Sequence, residues 1–125
     1  MSVTERDTND LGASTTGKSQ NEHSFLTKYI DIQLYSSGSS GLMRNIYLSD
    51  GNIYCEIQFR SYAPGENPDE PSYDNSTRTI KIHQDTICFH EFIDTIQNSK
   101  NVRVRYYETS ETGLIKNAMV TGSNV

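Results

Sequence analysis

No apolar run in this 125-residue chain approaches the roughly 18 residues that cross a membrane as a helix. No basic-then-apolar start marks a secretory signal either. Only two cysteines are present, Cys55 and Cys88, each among apolar neighbours. Without a secretory signal, such a pair reads as small buried hydrophobes, not as a disulfide or part of a metal site. The expectation is an intracellular protein, nuclear in a eukaryotic cell, with no membrane partner. Bases are scarce too: 11 Lys and Arg stand against 16 Asp and Glu, giving a net charge of −5 and a pI near 5.1. Bulk charge therefore exerts no general pull on phosphate or anionic lipid. With 34% hydrophobic residues and a mean hydropathy of −0.66, the 14.1 kDa chain has material for one modest core and one domain.

Catalytic and cofactor patterns are missing as well. No serine sits in a nucleophile turn, and no carboxylate pair is placed for acid–base work. Cys88 and His90 are two apart, but His23 and His83 do not complete a zinc spacing. The acidic loop Glu66–Asp74 lacks the ordered ligand series of a calcium loop. Asn75-Ser76-Thr77 is a glycosylation sequon, which has meaning only in a secreted chain. Gly12-Ala-Ser-Thr-Thr-Gly17-Lys18-Ser19 fits the phosphate-loop pattern G-x-x-x-x-G-K-S. That chemistry needs a strand before the loop and a helix after it, and neither flank has the pattern. It is a chance match in a polar segment. The expectation is a non-enzyme with no metal and no cofactor.

Two textures divide what is there. Residues 1–24 hold only Met1, Val3, Leu11 and Ala13 as apolar side chains, with no period of 2 or 3.6. Too little surface can be buried there to offset ordering entropy, so the segment reads as a disordered, acidic, Ser/Thr-rich tail. From Phe25 onward short alternating runs separated by turn residues predict strands, making 25–125 one domain. Tyr29–Tyr35 aligns Ile30, Ile32 and Leu34, and a polar linker Ser36–Gly41 follows. Leu42–Leu48 aligns Leu42, Ile46 and Leu48. Asp50-Gly51 predicts a type I′ hairpin turn into Asn52–Tyr62, whose Ile53, Cys55, Ile57 and Phe59 point inward. The proline-bearing stretch Ala63–Ser76 reads as a loop. Thr77–His83 resumes a strand, and Phe89, Phe92, Ile93 and Ile96 form one stripe of a helix over about Thr86–Asn98. A hairpin of Val102–Tyr107 and Leu114–Val120 closes the chain. The predicted fold is α+β, a curved, mostly antiparallel sheet in the order β-β-β-β-α-β-β with one helix. An oligonucleotide-binding barrel is the second arrangement this order allows.

Surface texture carries the functional expectation. Outside the tail nine bases face twelve acids, and once Glu66–Asp74 is also set aside, nine face eight. Arg60 lies between Tyr54 and Tyr62 on one strand face, and Arg103 and Arg105 lie beside Tyr107 on another. Rings stack on bases while arginines follow phosphates, so such a surface suits single-stranded nucleic acid held without sequence readout. The same residue types also suit an exposed sheet face through cross-strand pairing.

One stretch resembles a known family. Arg44-Asn-Ile-Tyr-Leu-Ser-Asp-Gly, Ile53-Tyr-Cys-Glu-Ile-Gln-Phe-Arg-Ser-Tyr62, a Pro/Glu-rich loop, Arg78-Thr-Ile-Lys-Ile-His83 and the helix are similar to positive cofactor four. That family comprises transcriptional coactivators that bind single-stranded DNA. The resemblance covers about half the chain. It implies a four-stranded antiparallel sheet followed by a helix, a homodimer formed through that helix, and a DNA channel lined by Arg44, Tyr47, Tyr54, Arg60 and Lys81. The Ser-rich acidic tail also resembles that of the eukaryotic members, whereas Val102–Val120 has no counterpart in the family.

The expectation is therefore a single-stranded nucleic-acid-binding protein, in transcription or replication. The competing expectation, favoured by overall acidity and the polar tail, is a structural or protein-interaction module, cellular or viral. Convergence of Arg60, Arg103, Arg105 and the tyrosines on one surface separates the two.

Overall fold

The computed structural model describes residues 22–36, 38, 42–108 and 115–125. The chain begins with strands β1 (Glu22–Leu26), β2 (Tyr29–Ser36), β3 (Leu42–Ser49), β4 (Tyr54–Arg60), β5 (Ser72–Asp74) and β6 (Thr79–Asp85), and alternation of apolar and polar residues marks β2, β3, β4 and β6. A 3-10 turn, Thr86–Cys88, leads into the helix α1 (Phe89–Gln97), and β7 (Asn101–Glu108) and β8 (Ile115–Ser123) follow. The fold is α+β, as the element pattern predicts, but the strands form two sheets instead of one. Five of them lie in the order β2-β3-β4-β6-β5 and three in the order β1-β7-β8. Neither sheet closes into a barrel.

Three pairings escape the sequence pattern. β1 begins at Glu22, so the expected boundary of the tail at Phe25 falls inside a strand. β5 forms within the proline-bearing loop, directly after Pro71. Because β5 pairs antiparallel with β6 at the sheet edge, β6 slots back between β4 and β5 and runs parallel to β4. The 61–71 loop spans the end of β6 to allow this, with no helical crossover.

The β3–β4 connection is also longer than a two-residue turn. Asp50 to Ile53 form a four-residue loop, in which the Asp50 carboxylate accepts from the Asn52 and Ile53 amides at 2.8 and 3.0 Å. Gly51 takes φ of +102°, which a side chain would strain. The helix is shorter than Thr86–Asn98 because Asp85 caps a 3-10 turn first, accepting from the Ile87 amide at 3.1 Å.

One core joins all the layers. Ile46, Leu48, Cys55, Ile57, Phe59, Ile80 and Ile82 come from the larger sheet, Phe25, Val102, Val104, Tyr106 and Ile115 from the smaller, and Phe89 and Ile96 from the helix. Burial of each such side chain stabilises the fold by about 1.5–3 kcal/mol. Phe59 meets Phe89 and Phe92 edge-on, with centroids 5.1 and 5.4 Å apart. β8 passes close to the end of the helix at Gly122, where a Cβ would sit 2.0 Å from Ser99 Oγ. Between the sheets, Thr27 bonds Val102 and Lys28 bonds Ser49, each at 2.8 Å, so two residues carry the chain from one sheet to the other.

Candidate functional site

The nine residues proposed from sequence fall in three places. Strand parity puts Tyr47, Tyr54, Arg60 and Lys81 on the face of the larger sheet turned away from the core. Tyr62 follows just past the end of β4. Arg44 lies on the opposite face, in register with Phe59, and its guanidinium sits 5.7 Å from the centre of the Phe89 ring. It caps the core by a cation–π contact instead of lining a channel. Arg103, Arg105 and Tyr107 lie on the outward face of β7, in the other sheet. Both sheets turn their inner faces to one core, so these two outer faces look in different directions.

The larger outer face is a polar network with an acid at its centre. Asn45 donates to the Tyr47 hydroxyl at 3.2 Å, and that hydroxyl donates to Glu56 at 3.1 Å. Gln58 donates to Glu56 at 3.0 Å, and Arg60 donates to Gln58 at 3.2 Å. Lys81 is in register with Glu56, Arg60 with Asp85, and Asp31 with Tyr47. Burial pushes the Tyr47 phenol up, and the Glu56 charge adds to this against the Asn45 hydrogen bond. Tyr62 is raised likewise, by burial first and then by Asp69. The two bases of this face, Lys81 and Arg60, thus each lie in register with a carboxylate.

On β7 the three residues do lie together. Arg103 reaches Ser24 Oγ at 3.3 Å and Arg105 approaches Glu22 at 3.7 Å. Tyr107 is raised by burial and by the Glu22 charge, with Arg105 opposing. It is a small basic and aromatic patch with one acid inside it.

Nucleophiles are poorly prepared. Burial pushes the Cys55 thiol up to about 12, and Cys88 is also raised by burial and by Glu91. Neither forms a reactive thiolate near neutrality. No group of three or more His, Cys, Asp or Glu among the described residues could hold a metal ion. A shallow groove of about 300 Å³ between the 61–71 loop, β6 and β8 is lined by Asp69, Glu70, His83, Gln84 and Asn117. It carries carboxylates and no Lys or Arg. The phosphate-loop match at Gly12–Ser19 lies outside the described residues.

The surface that sequence reasoning missed is β2. Ile30, Ile32 and Leu34 align as expected, opposite Leu48, Ile46 and Arg44, but they run beyond the cover of the helix and the second sheet. Every residue of β2 is exposed. Tyr29 is 64%, Ile30 48% and Leu34 59% accessible, and Leu42 on the neighbouring strand is 52%. Alternation alone does not distinguish an inner strand from an edge strand whose apolar side has no cover.

No protein family matches the chain, and no curated protein or solved structure is significantly similar to it. Within Arg44–His83, β6 runs parallel to β4, not antiparallel as a four-stranded antiparallel sheet would require.

Proposed function

We propose that the protein is a non-enzymatic interaction module that engages another polypeptide through the β2 edge. The carrying observation is an eight-residue edge strand exposed along its whole length and bearing apolar or aromatic side chains at Tyr29, Ile30, Ile32, Leu34 and Tyr35. Natural sheets blunt such edges with charge, proline or a covering element, unless a partner strand uses them. Only Asp31 supplies charge on β2. The apolar stripe of α1, through which a homodimer was expected, is spent on the chain's own core at Phe89 and Ile96.

A second reading, single-stranded nucleic-acid binding, is narrowed to Arg103, Arg105 and Tyr107 on β7. Its support is their adjacency on one outward face.

A photo-reactive phenylalanine placed at Tyr35 or at Tyr107, in cells making the full chain, tests the two together. The interaction reading expects a protease-sensitive adduct from position 35 and no nucleic-acid adduct from position 107. A nuclease-sensitive adduct at 107 with none at 35 would reverse the assignment.

A further inference from the structure

The geometry points to a second copy of this chain as the polypeptide that β2 takes: the two β2 strands pair antiparallel about a two-fold axis at Ile32. The inference rests on the interaction reading and names its partner. β2 reads Tyr29-Ile30-Asp31-Ile32-Gln33-Leu34-Tyr35, which is nearly the same in both directions. Antiparallel self-pairing centred on Ile32 sets Tyr29 opposite Tyr35 of the second copy, Ile30 opposite Leu34, Asp31 opposite Gln33, and Ile32 opposite itself. Each pair is matched in kind: aromatic on aromatic, aliphatic on aliphatic, carboxylate on carboxamide, which is the currency of sheet pairing. Centring the pair on Asp31 instead would set two carboxylates face to face. A closed isologous contact of this kind is also the commonest symmetry of soluble oligomers.

The face of the strand agrees with this choice. Directly opposed residues of an antiparallel pair point to the same side, so both copies' Ile30, Ile32 and Leu34 form one continuous aliphatic stripe. Two five-stranded sheets become one of ten. Tyr29, Ile30, Ile32, Leu34, Tyr35 and Leu42 together expose on the order of 600 Å² per chain, an upper bound on what pairing buries and below the ~800 Å² that each partner gives a standard-size interface. The other described edges suit self-pairing less well. β5 has three residues and carries Asp74, β1 carries Glu22 and His23, and β8 runs against the helix.

Sedimentation of the full chain at micromolar concentration tests the pairing. We expect a dimer, and Ile32→Lys, which sets two ammonium groups at the axis, should raise its dissociation constant at least tenfold while leaving the circular dichroism unchanged. Cysteine substitution in a Cys88→Ser background reads the register independently of that variant. Opposed Cα atoms in an antiparallel pair stand about 4.5–5.5 Å apart, within disulfide reach. Ile32→Cys should therefore cross-link with itself under mild oxidation. Asp31→Cys and Gln33→Cys should cross-link with each other in a mixture and not singly. A chain monomeric at all concentrations, or cross-linking of Asp31→Cys with itself, overturns the proposal. A monomer that still gives a polypeptide adduct at position 35 would leave the interaction reading standing, with another protein as the occupant. A monomer whose adduct at position 35 is intramolecular, to residues 1–21, would overturn both.

Discussion

The ring of Tyr73 stacks on that of Tyr106, with centroids 6.1 Å apart and 19° between the planes. Tyr73 belongs to the short edge strand β5 and Tyr106 to the central strand of the other sheet, so the pair ties the far edge of one sheet to the middle of the other. His23 stacks on Tyr106 as well, at 5.0 Å, and sits within ion-pair distance of Glu108. β1, β5 and β7 thus meet at one phenol.

That phenol should govern part of the alkaline stability. Burial, with Tyr73 and Glu108 adding, raises Tyr106 from 10.0 to about 12. The folded state favours the neutral phenol, so its contribution is complete below pH 10 and is lost as pH rises through 12. Cys55, raised from 9.0 to about 12, begins the decline earlier. Tyr106→Phe should make the fall in denaturation midpoint between pH 10 and 12 shallower. Equal slopes in the two proteins would remove Tyr106 from the account. Tyr106→Ala, in contrast, should cost about 3–5 kcal/mol at neutral pH through the cavity it leaves.

Gly51→Val should destabilise by more than about 1 kcal/mol because φ is +102°; the new Cβ would make only ordinary contact with the Tyr29 ring, at 3.6 Å. Asp50→Ala should cost about 1 kcal/mol by leaving the Asn52 and Ile53 amides without their acceptor. Those amides hold the Asp50 carboxyl below its usual range. This contribution is present above the ordinary carboxylate pKa and fades as pH falls below it. Urea titrations at pH 7 and pH 3 check both the size and the direction.

Arg78 takes φ of +54° in the turn before β6, a region that L side chains enter at a cost. Its side chain is exposed, so little is lost with it. Arg78→Gly should stabilise by about 0.5–1 kcal/mol and Arg78→Val should destabilise. If both lower the midpoint, the guanidinium has a role that its backbone does not explain.

Removal of residues 1–24 takes Glu22, His23 and Ser24, three of the five residues by which β1 pairs with β7. Thermal unfolding should then begin at least about 5 °C lower than in a chain lacking only residues 1–21, an effect of roughly 1 kcal/mol. Equal midpoints would show that Phe25, 6% exposed, anchors β1 alone.

If β7 does hold single-stranded nucleic acid, two arginines set the salt dependence. A slope of log K against log salt near −1.4 follows from about −0.7 per phosphate neutralised. Joint replacement of Arg103 and Arg105 by alanine should abolish that slope, and fluorescence anisotropy on unrelated oligonucleotides measures it. A steeper wild-type slope would bring in bases from outside this face.

Local pattern alone determined the α+β class, the strands β2, β3, β4, β6, β7 and β8 and the helix stripe. Ile46, Leu48, Cys55, Ile57 and Phe59 alternate strictly, and Phe89, Phe92, Ile93 and Ile96 keep the helical spacing. β1 and β5 were not legible, because Glu22–Leu26 and Ser72–Asp74 are short and polar and become strands only when β7 and β6 present backbone partners. Nor could alternation reveal how many sheets there are: which strands share a sheet is settled by pairing between residues distant in sequence. The candidate surfaces followed the same division. Parity placed Tyr54, Arg60 and Tyr62 on one strand face and Arg103, Arg105 and Tyr107 on another, whereas strand pairing put Tyr47 and Lys81 on the face of Tyr54 and Arg60. Only the tertiary structure decided that these faces point apart, that Arg44 turns to the Phe89 ring, and that Ile30, Ile32 and Leu34 lie uncovered. Side-chain direction is a local property of a strand, whereas burial depends on what the rest of the chain lays over it.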